Sequence, residues 1–441
     1  MSVTRNKVHE SSPIAMAPIR RHPLPAEFPG AHAIDSDEEE ALLRVIRSKS
    51  LYRYHGIDPQ GEATQFENEF AAFVGVRHAV AVTSGTAALH AALGALAVGP
   101  GQEVIIPAYL WVSIAAAVIN LGAIPVLADI DETFTLDPKD VRRRITPRTS
   151  VILIAHMNGA PGNILPLVEL AREQGICIVE DCAQCVGGTI DGQSVGSFGD
   201  IAIFSFQINK NMSSGEGGAV VTNSDALWRR AVALQDVGYA RDSNGKFDLH
   251  DAVSFTWGRG YRLDELRAAI LRVQLRKLPS ILSRMRKSKF RIRKALEGVP
   301  GLSFRRLVDS AGDTGAFLLT IFPDASIARA VNARMRWHGI VCSADAVSNV
   351  ILADYGLHIY SNIPALVEKT GTDRSGAPWS LMENRESVYD YNRGCCPNAD
   401  DLFQRTQLLT IPSCLSESDE QDVIDAFTEA LVWAGQGRGS G

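Results

Sequence analysis

The 441-residue sequence has no excess of charge of either sign: 44 Lys and Arg stand against 50 Asp and Glu, a formal net charge of -6. So small a balance leaves no footprint for nucleic acid or for an anionic membrane surface. No apolar run is long enough to span a bilayer. The opening residues, MSVTRNKVHESSPIAMAPIRRHPLP, lack an apolar signal core and predict a loose, Pro-rich extension on a cytoplasmic protein. Cysteine is scarce and odd in number, with 7 residues. Cys182 and Cys185 form one C-x-x-C, with no second pair and no His cluster beside it. That pattern argues against a disulfide framework or a metal centre and predicts free thiols in a reducing compartment.

What is present is an ordinary globular composition, 46% hydrophobic and 21% charged. Regular structure is expected from about Asp35, where Ser36 and Glu39 read as a capping box before a helix. Apolar runs then recur at HAVAV, EVIIP, IPVLADI, SVILIA and ICIVE, with helical spacings between most of them. The helix after Gly85 repeats apolar residues at Leu89, Ala92, Leu93 and Leu96, and another begins near Pro166. Strand-helix alternation predicts an α/β fold with a mostly parallel central sheet sandwiched by helices. IAIFSF and GGAVVT add short strands. A basic helical stretch runs from Leu263 to about Leu296 and is expected to break at Pro279. Beyond it the segments become short and mixed, which predicts a smaller C-terminal α+β domain. The expected boundaries are an extension over 1–30, a large domain over 31–285, a small domain over 286–434 and a disordered tail over 435–441.

Four segments carry chemistry. In FSFQINKNMSSGEGGAVVT, Lys210 lies between a strand and a Gly-rich return strand. Such a turn lies at a sheet's carboxyl edge, where open α/β sheets bind ligands. Lysine forms imines with carbonyl cofactors once its amine is neutral, although alone it would read as a solvated surface residue. VEDCAQ places Asp181 at a strand end, where a carboxylate could face the pyridine nitrogen of pyridoxal phosphate (PLP) and keep it protonated. Gln184, three residues on, could return to the same site. The bland reading of Asp181 is a cap after a strand. VTSGTAALHAAL ends a strand in a tight turn and starts a helix, so Gly85 and Thr86 offer backbone N–H groups to a phosphate. In IIPAYLWVS, Trp111, with Tyr109 nearby, could stack on a flat ring or simply sit in the core.

In this order the segments resemble the DegT/DnrJ/StrS family of PLP-dependent sugar aminotransferases, of the fold-type I transferase class. The resemblance runs from the Asp35 helix to the last helix. It includes QFENEFAAFVGVRHAVAVTSGTAALHAAL, the H-x-x-G at His156–Gly159, VEDCAQ, GSFGDIAIFSF, KNMSSGEGG and YRLDELRAAI. It implies that Lys210 carries PLP as a Schiff base and shuttles the proton, that Asp181 pairs with the pyridine nitrogen and that Gln184 contacts the phenolic oxygen. It implies a phosphate held by Gly85, Thr86 and Ser205, and Trp111 stacked on the ring. It further implies a homodimer with shared active sites, glutamate or glutamine as donor, PMP as the aminated cofactor, and a nucleotide-linked keto sugar or a keto-cyclitol as acceptor.

The sequence also departs from the family. Where members often read G-x-N-Y-R, with the Asn reaching the neighbouring site's phosphate, this chain has Gly258-Arg259-Gly260-Tyr261-Arg262. Gly260 cannot make that contact, which leaves Arg259 or Arg262 as replacements. Gln207 after F-S-F resembles the cyclitol branch more than the nucleotide-sugar branch. An insertion-like stretch, 361–387, is a candidate wall of the substrate pocket. Rival readings are another PLP reaction, such as elimination or carbon–carbon bond chemistry, and a non-catalytic sensor. Lys210 stands where the family's dehydratases have His, and the intact Lys210, Asp181 and Gln184 set disfavours a sensor.

Overall fold

A computed structural model of the chain describes residues 17–242, 245–342 and 348–436. The central sheet is built from β1 (His78–Val82), β2 (Glu103–Pro107), β3 (Ile124–Ala128), β4 (Thr149–Ala155) and β5 (Cys177–Asp181). After a short hairpin, β6 (Thr189–Ile190) and β7 (Gln193–Ser194), β8 (Ile201–Ser205) and β9 (Gly218–Thr222) complete it. The order is β1-β9-β8-β5-β4-β2-β3, and β9 alone runs against the rest. A second sheet, β10 (Ser303–Phe304), β11 (Phe317–Ile321), β12 (Asn349–Ile351) and β13 (Thr406–Thr410), has the order β10-β11-β13-β12 and is antiparallel throughout.

Helices α1 (Ser36–Ser48), α2 (Glu62–Val74), α3 (Gly85–Ala95), α4 (Val112–Asn120), α5 (Pro138–Arg144), α6 (Leu165–Gln174) and α7 (Asp225–Gln235) accompany the central sheet. They are followed by α8 (Glu265–Leu296), α9 (Ala325–Trp337), α10 (Pro364–Val367), α11 (Pro397–Arg405) and α12 (Glu417–Gln436). Successive strand residues point to opposite faces, and the two faces meet different helices. Val80, Val82, Ile201 and Ile203 pack with Leu89 and Leu93 of α3. Ala79, Ala81, Ala202 and Phe204 pack instead with Phe66 and Phe70 of α2 and Leu271 of α8. Both faces are covered, which is why the strands read as near-continuous apolar runs. None of the described helices is long and apolar enough to cross a membrane.

Three expectations change. The cap of α1 is one residue earlier than the Ser36–Glu39 reading: Asp35 caps, and Glu38 completes the capping box. Pro279 does not break α8, which runs through it for 32 residues. The lost N–H costs about 3 kcal/mol. Leu278, Ile281 and Met285, all fully buried, hold the helix on either side at about 1.5–3 kcal/mol each. The described part of the N-terminal extension is docked rather than loose. Arg20 pairs with Asp419 and Asp422 at 2.8 and 2.6 Å, and Leu24 is buried in the cluster around α9 and α12. Residues 1–16 of that extension and 437–441 of the expected disordered tail lie outside the described residues.

Candidate functional site

The carboxyl ends of β1, β2, β4, β5 and β8 surround one cavity of about 650 Å³. Its lining includes Gly85, Thr86, Trp111, Asp181, Gln184, Ser205 and Lys210, so seven of the nine expected site residues meet in one place. Sheet register brings them together. Gly218 of β9 pairs with Val82 on one side and Ser205 on the other, which sets the start of α3 beside the end of β8. Ser84 caps α3, its Oγ accepting from the Ala87 N–H at 3.1 Å. The N–H groups of the first turn have no partner within a helix and carry its positive end. A Cβ on Gly85 would lie 2.8 Å from the Cβ of Ser205, so glycine is what lets the helix start approach that close.

Lys210 lies on the loop between β8 and β9, held by a 2.9 Å bond from its N–H to the Gln207 carbonyl. From the docked N-terminal segment, Gly30 N–H donates to the Lys210 carbonyl at 3.2 Å. Desolvation pushes the Lys210 amine down to about 8, with Asp181 and Glu216 acting in the other direction. Burial likewise raises the Asp181 carboxyl, opposed by the Ala183 N–H, Lys210 and His156. Oδ1 of Asp181 accepts from Ala183 at 2.9 Å. Among the described residues its other oxygen has no hydrogen-bond partner. No helix follows Asp181, so it caps only a turn.

Glu180, the neighbouring acid, points away from the cavity. It accepts from the N–H groups of Gly196, Phe198 and Gly199 and from His156, all within 3.1 Å. His156, Glu180 and Cys182 approach one another closely enough to suggest a metal. However, His156 Nδ1 is already taken by the Gly162 N–H at 2.9 Å, and both Glu180 oxygens are occupied. All seven cysteines are free thiols.

Trp111 is 43% exposed and lines the cavity, which removes the core reading, whereas Tyr109 is buried with its hydroxyl on Asn158 at 2.6 Å. Arg259 and Arg262 do not line the cavity. Arg262 is bound to buried Asp236 at 2.6 Å, and Arg259 is exposed. Asp264, the acid next in sequence, pairs with Arg267 rather than with either of these arginines. Gly260 has φ +70°, a region that Asn also tolerates, and an added Cβ would come no closer than 4.0 Å to another residue, at Arg262 Nη2. The stretch 361–387 does not wall the cavity. It crosses to the amino ends of β2 and β3, where Ser387 binds Glu103 at 2.6 Å and Asn384 binds Gly101 and Gly122.

Two residues missed in the sequence complete the wall, His358 and Tyr355, which enter just ahead of that stretch. A third, Asn158, at φ +52°, does not line the cavity but holds Gln184 through its N–H at 3.0 Å. The H-x-x-G at His156–Gly159 was the visible signal for Asn158. A lone histidine in GLHIY offered none for His358.

A model of the DegT/DnrJ/EryC1/StrS aminotransferase family matches residues 32–344. The chain is 32% identical over 407 residues to L-glutamine:2-deoxy-scyllo-inosose aminotransferase of Streptomyces kanamyceticus, covering 89% of this chain and 91% of that protein. It is 38% identical over 237 residues to GDP-perosamine synthase of Vibrio cholerae, covering 54% of this chain and 63% of that protein, less than two thirds of its length. Its fold matches the solved aminotransferase TlmJ from Streptoalloteichus hindustanus with a TM-score of 0.73 at 28% identity, over 91% of this chain and 98% of that one.

Proposed function

The chain belongs to the DegT/DnrJ/EryC1/StrS aminotransferase family, and we propose that it uses PLP to move an amino group from glutamine or glutamate to a keto sugar or keto-cyclitol. One observation carries this reading: the Lys210 amine, held near 8, shares a cavity with the unpartnered oxygen of Asp181 and the open start of α3. These residues fit PLP. A half-buried helix start that lines the cavity beside Ser205 suits a phosphate, and a buried acid with a free oxygen suits a protonated ring nitrogen.

Gly85, Thr86 and Ser205 would hold the phosphate, Asp181 the pyridine nitrogen, Gln184 the phenolic oxygen and Trp111 the ring face. Bound there, PLP supplies the electron sink and the nitrogen carrier. Lys210 would hold the group through its amine, and that amine at Nζ would take up and return the proton. Desolvation favours the neutral amine this requires. Asp181, kept from bulk water, holds the countercharge.

The name of the Streptomyces kanamyceticus relative supports glutamine as donor and an inosose, a keto-cyclitol, as acceptor, and the GDP-perosamine of the other name supports a nucleotide-linked sugar. Gln207, on the cavity wall, favours the cyclitol class. A second copy of the chain would complete the site. Around Arg259, the segment 237–257 exposes Val237, Leu249, Val253, Phe255 and Trp257, the last to 91%. Exposed apolar clusters of this kind mark interfaces.

The test is direct. Glutamine or glutamate added to the PLP-loaded protein should convert its visible absorption to that of PMP, and keto-cyclitols or keto sugars should restore it. No conversion with either donor rejects the reading.

A further inference from the structure

The segment from Tyr355 to Tyr360 arrives from the far end of the chain and is pinned against the residues leading into Trp111. Leu110 N–H donates to the His358 carbonyl at 3.1 Å, and Tyr360 N–H donates to the Ala108 carbonyl at 3.2 Å. This lays the His358 imidazole into the cavity wall. The ring stacks on Tyr355, with centroids 3.9 Å apart and planes 9° from parallel, and its centroid is 4.8 Å from that of Trp111.

The hydrogen bonds around His358 assign its tautomer. Nδ1 is 3.1 Å from the Tyr355 carbonyl, which can only accept, so Nδ1 carries the proton. Nε2 then presents a lone pair, 3.3 Å from Nε2 of Gln184. Gln184 Oε1 accepts from the Asn158 N–H at 3.0 Å, which turns the carboxamide's oxygen toward Asn158 and its NH2 toward His358. The two assignments agree. Burial pushes His358 down to about 4, helped by the charge of Lys210 and opposed by the Tyr355 carbonyl, so the ring is neutral at ordinary pH and its lone pair is available.

We infer that His358 is a positioning residue: by accepting one N–H of Gln184 it fixes the carboxamide so that the second N–H is presented to the phenolic oxygen of the cofactor. This rests on the PLP reading above. The rotation about the last bond of a glutamine is broad and two-fold, so a carboxamide held at its oxygen alone keeps freedom that His358 removes.

The readout is the pH titration of the visible band of the PLP-loaded protein. A donor on the phenolic oxygen stabilises its negative charge and weakens its hold on the internal proton of the cofactor–lysine link. Losing the donor therefore moves the titration midpoint upward. His358→Phe keeps an aromatic stack on Tyr355 but removes the acceptor. It should raise the midpoint by about one pH unit, as should Gln184→Leu, and the double variant should go no higher. His358→Gln, which restores an acceptor, should return the midpoint toward that of the parent. Equal midpoints in His358→Phe and the parent overturn the inference, and so do shifts that add in the double variant. If the parent protein shows no visible band with PLP, the cofactor reading falls first and takes this one with it. A band with no shift removes the positioning role alone.

Discussion

The N-terminus of α3 meets the end of β8 at Gly85 and Ser205, with an added Gly85 Cβ only 2.8 Å from the Ser205 Cβ. A methyl group there must displace either the helix start or the serine that faces it. Gly85→Ala should therefore weaken PLP binding by about tenfold or more, which corresponds to about 1.4 kcal/mol. Equilibrium titration of the protein with PLP measures it, and an unchanged affinity would move the phosphate elsewhere.

The amine of Lys210, pushed down to about 8 by desolvation, sets a pH dependence. Only its neutral form accepts a proton, and the neutral fraction rises with pH. The single-turnover rate of amination by the PMP form should climb as pH passes through about 8 and level off above it. A profile flat from pH 6.5 to 9.5 would assign the proton transfer to another group.

Asp181→Asn keeps the bond from the Ala183 N–H and nearly the same shape, so folding should be preserved. The negative charge on the cavity wall is lost, and turnover should fall by about 10²–10³-fold, the scale of losing one aligned electrostatic partner. Near-UV circular dichroism and kcat separate the two effects. Near-normal turnover would remove the role, and Glu180 could not inherit it, since its oxygens are spent on Gly196, Phe198 and Gly199.

Arg262 is committed to Asp236, whereas Arg259 is exposed beside the apolar segment that ends at Trp257. In a shared site Arg259 is thus the better reach to the neighbour's phosphate. Arg259→Ala should weaken PLP binding, and Arg262→Ala should first lower stability, because Asp236 would be left with Arg241 alone. Mixing Lys210→Ala chains with Arg259→Ala chains should restore activity in part, since one site of each mixed dimer carries neither lesion. No recovery after verified exchange of subunits would leave each chain with a self-contained site.

Much of this arrangement was legible in the sequence, because strands covered on both faces read as continuous apolar runs and each chemical segment follows such a run. Asp181 ends β5, and Gly85, Trp111 and Lys210 lie on the segments that follow β1, β2 and β8, so the order of strands and segments marked them together. Contacts across long separations could not be read this way. Asp236 and Arg262 meet from either side of a loop, and His358 reaches Gln184 across 174 residues. Pro279 misled because its local cost is outweighed by burial that only the packed α8 reveals. The stretch 361–387 looked like a pocket wall only because its destination, the polar cluster at Glu103, depends on tertiary packing.

The claim that Lys210 carries the cofactor is tested most directly by reducing the PLP-loaded protein with borohydride and mapping the modified peptide by mass spectrometry. The account predicts a single phosphopyridoxyl group on Lys210 and none in Lys210→Ala. A modified lysine elsewhere, or an adduct of equal yield in Lys210→Ala, would contradict it.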